Sequence, residues 1–267
     1  MFGEPTALDG EFAPVDRVKM TWVDTHCHLQ LDERDPAAML ARASTVDWVV
    51  APGIDAASSV ASVRLAEQFP GRVLASAGLH PHEAAEWPKQ SEAIVELADS
   101  VSAIGETGLD YYRDLSPRVE QIDSFRAQLE LAAVKDLPVI VHCRDAFRDV
   151  HDILETSGEG GRAVLHCWTG GRKWTKRFLE LGVTFSFAGP VAFETGETIR
   201  LAAELVPPER ALVETDTPYL TPPPHRGQPN EPAWVALVGE ALAQVWGVSP
   251  ETAAEETSAN AERIFKP

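Results

Sequence analysis

In the stretch Thr21-Trp22-Val23-Asp24-Thr25-His26-Cys27-His28-Leu29 an apolar start runs into two histidines two residues apart. Side chains alternate along a strand, so on a strand over 22–29 His26 and His28 share one face, with Asp24 on it too. A pair so placed can grip one metal ion, because neutral imidazole is a common ligand for borderline cations. His-x-His also occurs in surface and core pairs, so the residues downstream decide its meaning.

Working outward, the same unit recurs: a short apolar strand, a turn, then an amphipathic helix. Strands are expected at 22–29, 48–54, 73–80, 103–109, 139–143, 163–168, 183–187 and 211–215. Most are near-continuous runs of Val, Ile, Leu and Ala, as parallel strands buried on both faces require. Between them, 55–69, 91–98, 117–134, 146–155 and 195–205 space apolar residues three or four apart, the period of a helix. Eight strands alternating with helices predict a closed (β/α)8 TIM barrel in a single domain. The proline-dense segment 217–232 cannot be helical and reads as a stiff loop at the barrel mouth. Helices near 233–246 and 250–264 complete the fold.

The chain has 267 residues, which suits one barrel of roughly 250 residues. No apolar run approaches the ~20 residues of a membrane span. Residues 1–20 are acidic and proline-bearing, without a cationic start feeding an apolar core, and are expected to be a loosely ordered extension rather than a signal peptide. Residues 21–267 form the barrel domain. Three cysteines, an odd count without a secretion signal, indicate a reducing cytoplasm. Each follows a histidine directly, so alternation turns Cys27, Cys143 and Cys167 away from the histidine face, as apolar filler rather than thiolate ligands. With 23 basic against 41 acidic residues the net charge is −18. Such a surface disfavours wrapping a duplex, since non-specific affinity comes from Lys and Arg neutralising phosphates.

Placed on these strands, six ligand-type side chains gather at the carboxyl ends of five of them. His26 and His28 end the first, Glu106 the fourth, His142 the fifth, His166 the sixth and Asp216 the eighth. Barrel enzymes build their sites there. Imidazole and carboxylate without thiolate suit Zn²⁺, Mn²⁺ or Mg²⁺. Glu106 is the obvious bridge between two divalent ions roughly 3.5–4 Å apart, and Asp216 the candidate to take a proton from an attacking water. The reaction class is hydrolysis of a phosphate ester or an amide.

Seven segments carry a resemblance: Asp24-Thr25-His26-Cys27-His28-Leu29, Gly78-Leu79-His80-Pro81-His82, Gly105-Glu106-Thr107-Gly108-Leu109-Asp110-Tyr111-Tyr112, Pro138-Val139-Ile140-Val141-His142-Cys143-Arg144, His166-Cys167-Trp168-Thr169-Gly170, Glu214-Thr215-Asp216-Thr217-Pro218-Tyr219-Leu220 and Arg226-Gly227-Gln228-Pro229-Asn230-Glu231-Pro232. Together they resemble the TatD family of metal-dependent deoxyribonucleases, within the amidohydrolase-like barrels. The resemblance implies one metal on His26, His28, Glu106 and Asp216, and a second on Glu106, His142 and His166. It implies a 3′-end-directed exonuclease on single-stranded DNA, with RNA as a further substrate, and single-strand ends as the partner; no obligate protein partner is inferred. Trp168-Thr169-Gly170 departs from the family's more usual Phe-Ser-Gly.

Among accessory residues, Asp24 is expected either to orient a ligand imidazole or to make a strand-terminal hydrogen bond. Glu214 is expected to partner a histidine. His80, Arg113, Arg144 and Arg226 are candidates for substrate phosphate, with Arg226 foremost for its place in the stiff loop; for Arg144, which directly follows a ligand, a salt bridge is the alternative, and His82 is read as structural. Tyr111 and Tyr112 offer faces for a terminal base, against ordinary rim packing. Trp87 and Trp168 are placed near the mouth without a role. Two rival readings remain: an amidohydrolase acting on a cyclic amide, lactone or aminoacyl ester, and a non-catalytic scaffold.

Overall fold

The computed structural model describes residues 20–266, so the expectation for the N-terminal extension falls almost wholly outside the described residues. Eight parallel strands stand in sequence order, each paired with the next. They are β1 (Trp22–Asp24), β2 (Val46–Ala51), β3 (Val73–Ala77), β4 (Ala103–Asp110), β5 (Val139–Arg144), β6 (Ala163–Leu165), β7 (Thr184–Phe187) and β8 (Ala211–Val213). The helices are α1 (Pro36–Arg42), α2 (Ala56–Gln68), α3 (Trp87–Leu97), α4 (Arg118–Lys135), α5 (Phe147–Ser157), α6 (Arg172–Glu180), α7 (Glu197–Ala203), α8 (Val235–Trp246) and α9 (Pro250–Phe265). The chain is a single-domain TIM barrel. No helix among the described residues is long and apolar enough to cross a membrane.

Local signals fix the helix ends. Asp55 caps α2 by accepting from the Ser58 backbone N–H at 2.7 Å, while the Ser58 hydroxyl accepts from the Asp55 N–H at 3.0 Å. Helix α4 stops where Asp136 takes the left-handed conformation, just ahead of Pro138. Two helices, α1 and α6, were not expected from the sequence. Each is short and buries only two residues, Met39 and Leu40 in α1, Thr175 and Phe178 in α6, too few to mark a period.

The strands are buried on both faces. Val23, Val50, Ala103, Ile140, Val164 and Leu212 form one apolar cluster, whereas their neighbours Trp22, Val49, Ile104, Val139, Val141, Leu165 and Val213 pack with the helix layer. Alternation thus assigns one set to the barrel interior and the other to the jacket. Closure comes from residues just past the strand ends. The N–H of Thr25 donates to Val213 O at 3.1 Å, that of His28 to Thr217 O at 3.0 Å, and that of Asp216 to His26 O at 2.8 Å.

Candidate metal centre

Along β5 and β6, parity with Ile140 and Val164 turns His142 and His166 inward. Glu106 needs more than parity, because Ile104, two residues before it, faces the helices. The register of β4 on β5 shifts between Ile104 and Thr107, the interval holding Gly105-Glu106. Such a bulge re-aims the side chains beyond it. Glu106 therefore points inward, four residues short of the end of β4 rather than at the strand's end. A bend at Thr25 does the same for β1. It separates Asp24 from the face of His26 and His28, and Asp24 instead accepts from the N–H (2.9 Å) and hydroxyl (2.6 Å) of Thr215 across the seam. Asp24 holds backbone and hydroxyl, not an imidazole. Burial raises its carboxyl to about 7 against the hydrogen bonds from Thr215.

The six expected ligand residues come together, with Glu106 in their midst. Its Oε2 lies 3.3 Å from His26 Nε2 and 3.7 Å from His28 Nε2, and its Oε1 lies 3.0 Å from His142 Nδ1 and 2.9 Å from His166 Nε2. Asp216 Oδ1 is 3.5 Å from His28 Nε2 and 3.9 Å from His26 Nε2. Asp216 itself adopts a φ of +57° just beyond β8. Burial opposes the charge on Glu106, yet the rings of His166, His80 and His26 hold its carboxyl well below the ordinary range. For Asp216 too, burial is outweighed by the hydrogen bond to His28 and by the neighbouring rings. Burial likewise favours neutral rings; it prevails at His26, whose proton affinity is lowered. At His166 the pull of Glu106 and Glu214 wins and holds the proton more firmly than usual.

This donor set fits divalent cations. Ring nitrogens face one another, His26 Nε2 to His28 Nε2 at 3.2 Å and His142 Nδ1 to His166 Nε2 at 3.3 Å. Lone-pair donors turned on common points are what a cation recruits. One ligand atom each from His26, His28 and Asp216 lie within 4.8 Å of one another, as do those of His26, Glu106 and His166. Glu106 presents Oε2 to His26 and His28 and Oε1 to His142 and His166.

The accessory residues divide. Glu214 is fully buried and sets Oε1 3.2 Å from His166 Nδ1. His80 lies inside the cluster, Nε2 at 3.3 Å from Glu106 Oε1, while its Nδ1 accepts from the His82 N–H. Burial lowers its pKa to about 4, so the neutral ring carries its proton on Nε2 and turns it toward Glu106. Arg226 is exposed, its guanidinium 4.0 Å from the Phe193 ring centroid and its Nη1 donating to Thr221 O at 3.0 Å. Arg113 is exposed on the rim. The Tyr111 hydroxyl donates to Asp149 at 2.7 Å, with Arg118 over the ring. Tyr112 is 61% exposed and backed by the Arg144 guanidinium at 4.0 Å, a stacking contact that the sequence did not suggest.

Trp168 lies in the helix layer against Phe147, Phe178 and Phe185, not at the mouth. The positive φ of Cys167 turns the chain outward there. All three thiols are free, and burial keeps each in its neutral form.

One residue of the centre was not singled out from the sequence. Asp110 is fully buried and places Oδ2 3.1 Å from His142 Nε2 and 2.9 Å from His82 Nε2. The available signal was parity, since Asp110 and Glu106 fall on the same strand face.

The model of the family described as TatD related DNase matches residues 23–266. The uncharacterized metal-dependent hydrolase YcfH of Escherichia coli K12 is 39% identical over 259 residues, covering 92% of this chain and 96% of that one. The 3′-5′ ssDNA/RNA exonuclease TatD of Erwinia billingiae is 36% identical, covering 88% and 93%. The crystal structure of YJJV, a TatD homolog from Escherichia coli K12, superposes with a TM-score of 0.87 at 27% identity, covering 92% and 98%. By sequence and by fold, the chain belongs to the TatD related DNase family of metal-dependent hydrolases.

Proposed function

We propose that the chain is a binuclear nuclease that removes nucleotides from the 3′ ends of single-stranded DNA or RNA, in the cytoplasm. The observation that carries this reading is Glu106, whose two oxygens face two separate sets of imidazoles. His26, His28, Glu106 and Asp216 would hold one divalent ion, and Glu106, His142 and His166 the second, with Mg²⁺, Mn²⁺ or Zn²⁺ as the candidates. When bound, such ions polarise a phosphoryl oxygen and make water acidic near neutral pH.

The chain's own residues supply the rest. Asp216, with 14% of its side chain exposed against 4% for Glu106, is the carboxylate of the pair that water reaches more readily. It is ionised, so it takes the proton of the attacking water and returns one to the leaving oxygen. His80 steadies Glu106 through its Nε2 proton. The exposed face of Tyr112 stacks the terminal base, with Arg113 and Arg226 as rim cations and Tyr111, its hydroxyl held by Asp149, next to it in the chain. The −18 charge favours trimming an end over gripping a duplex.

The relative named as a 3′-5′ ssDNA/RNA exonuclease supports the choice of bond and end. The test is shortening of 5′-labelled single strands by pure protein with Mg²⁺ or Mn²⁺, with and without chelator, beside a duplex and a cyclic amide. Chelator-sensitive loss from the 3′ end is expected; cleavage of the amide alone would contradict it.

A further inference from the structure

We propose that Asp110 is the positioning residue that fixes the metal-facing nitrogen of His142, an inference resting on the metal-centre reading above. His142 has both nitrogens committed: Nδ1 lies 3.0 Å from Glu106 Oε1 and Nε2 lies 3.1 Å from Asp110 Oδ2. Asp110 is saturated as an acceptor. Its Oδ1 accepts from the N–H groups of Tyr112 (3.0 Å) and Arg113 (2.8 Å), and its Oδ2 faces His82 Nε2 as well as His142. A carboxylate in this setting has no proton to give, so the ring nitrogen facing it donates. The proton of neutral His142 therefore sits on Nε2, and the lone pair of Nδ1 faces the cluster.

His166 has the opposite arrangement. Its Nδ1 faces Glu214 Oε1 at 3.2 Å, and its Nε2 faces Glu106 Oε1 at 2.9 Å. Two histidines thus reach one carboxylate oxygen through different ring nitrogens, each sorted by its own buried acid. Carboxylates behind ligand imidazoles set the tautomer and raise ligand basicity, and losing one costs about 10–100-fold in metal affinity. Asp110 has a second effect. The turn that carries the exposed face of Tyr112 hangs from its Oδ1, so one side chain ties a metal ligand to the rim.

The experiment uses the full chain with ¹⁵N-labelled histidine rings, stripped of metal, then titrated with Zn²⁺. The neutral His142 ring of the unsubstituted protein is expected as the Nε2–H tautomer, and His166 as Nδ1–H. In Asp110→Asn the His142 tautomer is expected to mix or reverse, and one of two Zn²⁺ equivalents to weaken about 10–100-fold while the other holds. His82→Gln, which leaves the Asp110–His142 contact in place, should shift Zn²⁺ affinity less than about 3-fold.

An Nδ1–H tautomer for His142 in the unsubstituted protein overturns the proposal, even if Asp110→Asn does not fold. So does an Asp110→Asn protein with unchanged tautomer and unchanged Zn²⁺ binding. Neither readout requires nucleic acid, so absence of nuclease activity alongside these results would count against the substrate reading alone.

Discussion

The backbone N–H of Asp216 donates to the carbonyl of His26 at 2.8 Å. That bond joins the first and the last of the ligand-type residues, 190 positions apart in the chain, across the seam where the barrel closes. The hydrogen bonds that complete the fold thus also set His26, His28 and Asp216 around one point. Closing the barrel and assembling this half of the centre are one event.

Asp216→Asn removes the proton acceptor while keeping shape and the seam hydrogen bond. A positioned acid or base contributes about 10²–10⁴-fold, so kcat on a 3′-end substrate should fall by that factor with KM little changed. Steady-state kinetics on a labelled oligonucleotide check this.

Glu106→Gln strikes both ion positions, because each uses one of its oxygens. Metal affinity should fall by more than the 10–100-fold typical of an outer partner, roughly equally for both equivalents. Calorimetric titration with Mn²⁺ reads the loss, and circular dichroism confirms that the barrel persists.

Tyr112→Ala removes an exposed stacking face outside the cluster of imidazoles and carboxylates. At about 1–3 kcal/mol per stacked base, KM for a single strand should rise about 5- to 150-fold. The increase should shrink for a chromogenic phosphodiester that carries no base.

Stripping the ions should destabilise the fold. A ligand at 100 times its Kd adds about 2.7 kcal/mol, which for a chain of this size is about 5–10 °C in Tm. Thermal scans with and without chelator measure it, and re-addition of metal should restore the loss.

Gly108→Ala tests the approach of β4 to β5. Gly108 has a φ of +131°, and a Cβ there would lie 2.1 Å from the carbonyl oxygen of His142. The strands must part at that point, at a cost of about 1–3 kcal/mol. A lowered urea midpoint together with weakened metal binding is the expected outcome.

Much of this molecule was legible in the sequence. Eight apolar runs marked eight strands, and ligand-type residues on or just beyond five of them marked the centre, since both follow from short-range periodicity. What escaped depends on contacts distant in the chain. The parity of β4 predicts Glu106 outward from Ile104, and only the bulge reverses it. Asp24 is claimed by Thr215, 191 residues away, and Arg226 by Phe193, neither of which leaves a local pattern. Asp110 was readable as an inward residue from its spacing to Glu106. Its partner His82 was not, because that contact crosses from the loop after β3.

The most direct test is a count of ions. Metal-free protein titrated with Mn²⁺ should take up two equivalents per chain, and Glu106→Gln should weaken both. One equivalent or none in the unsubstituted protein, or a Glu106→Gln protein that still binds two at the same affinity, would contradict a centre bridged by Glu106.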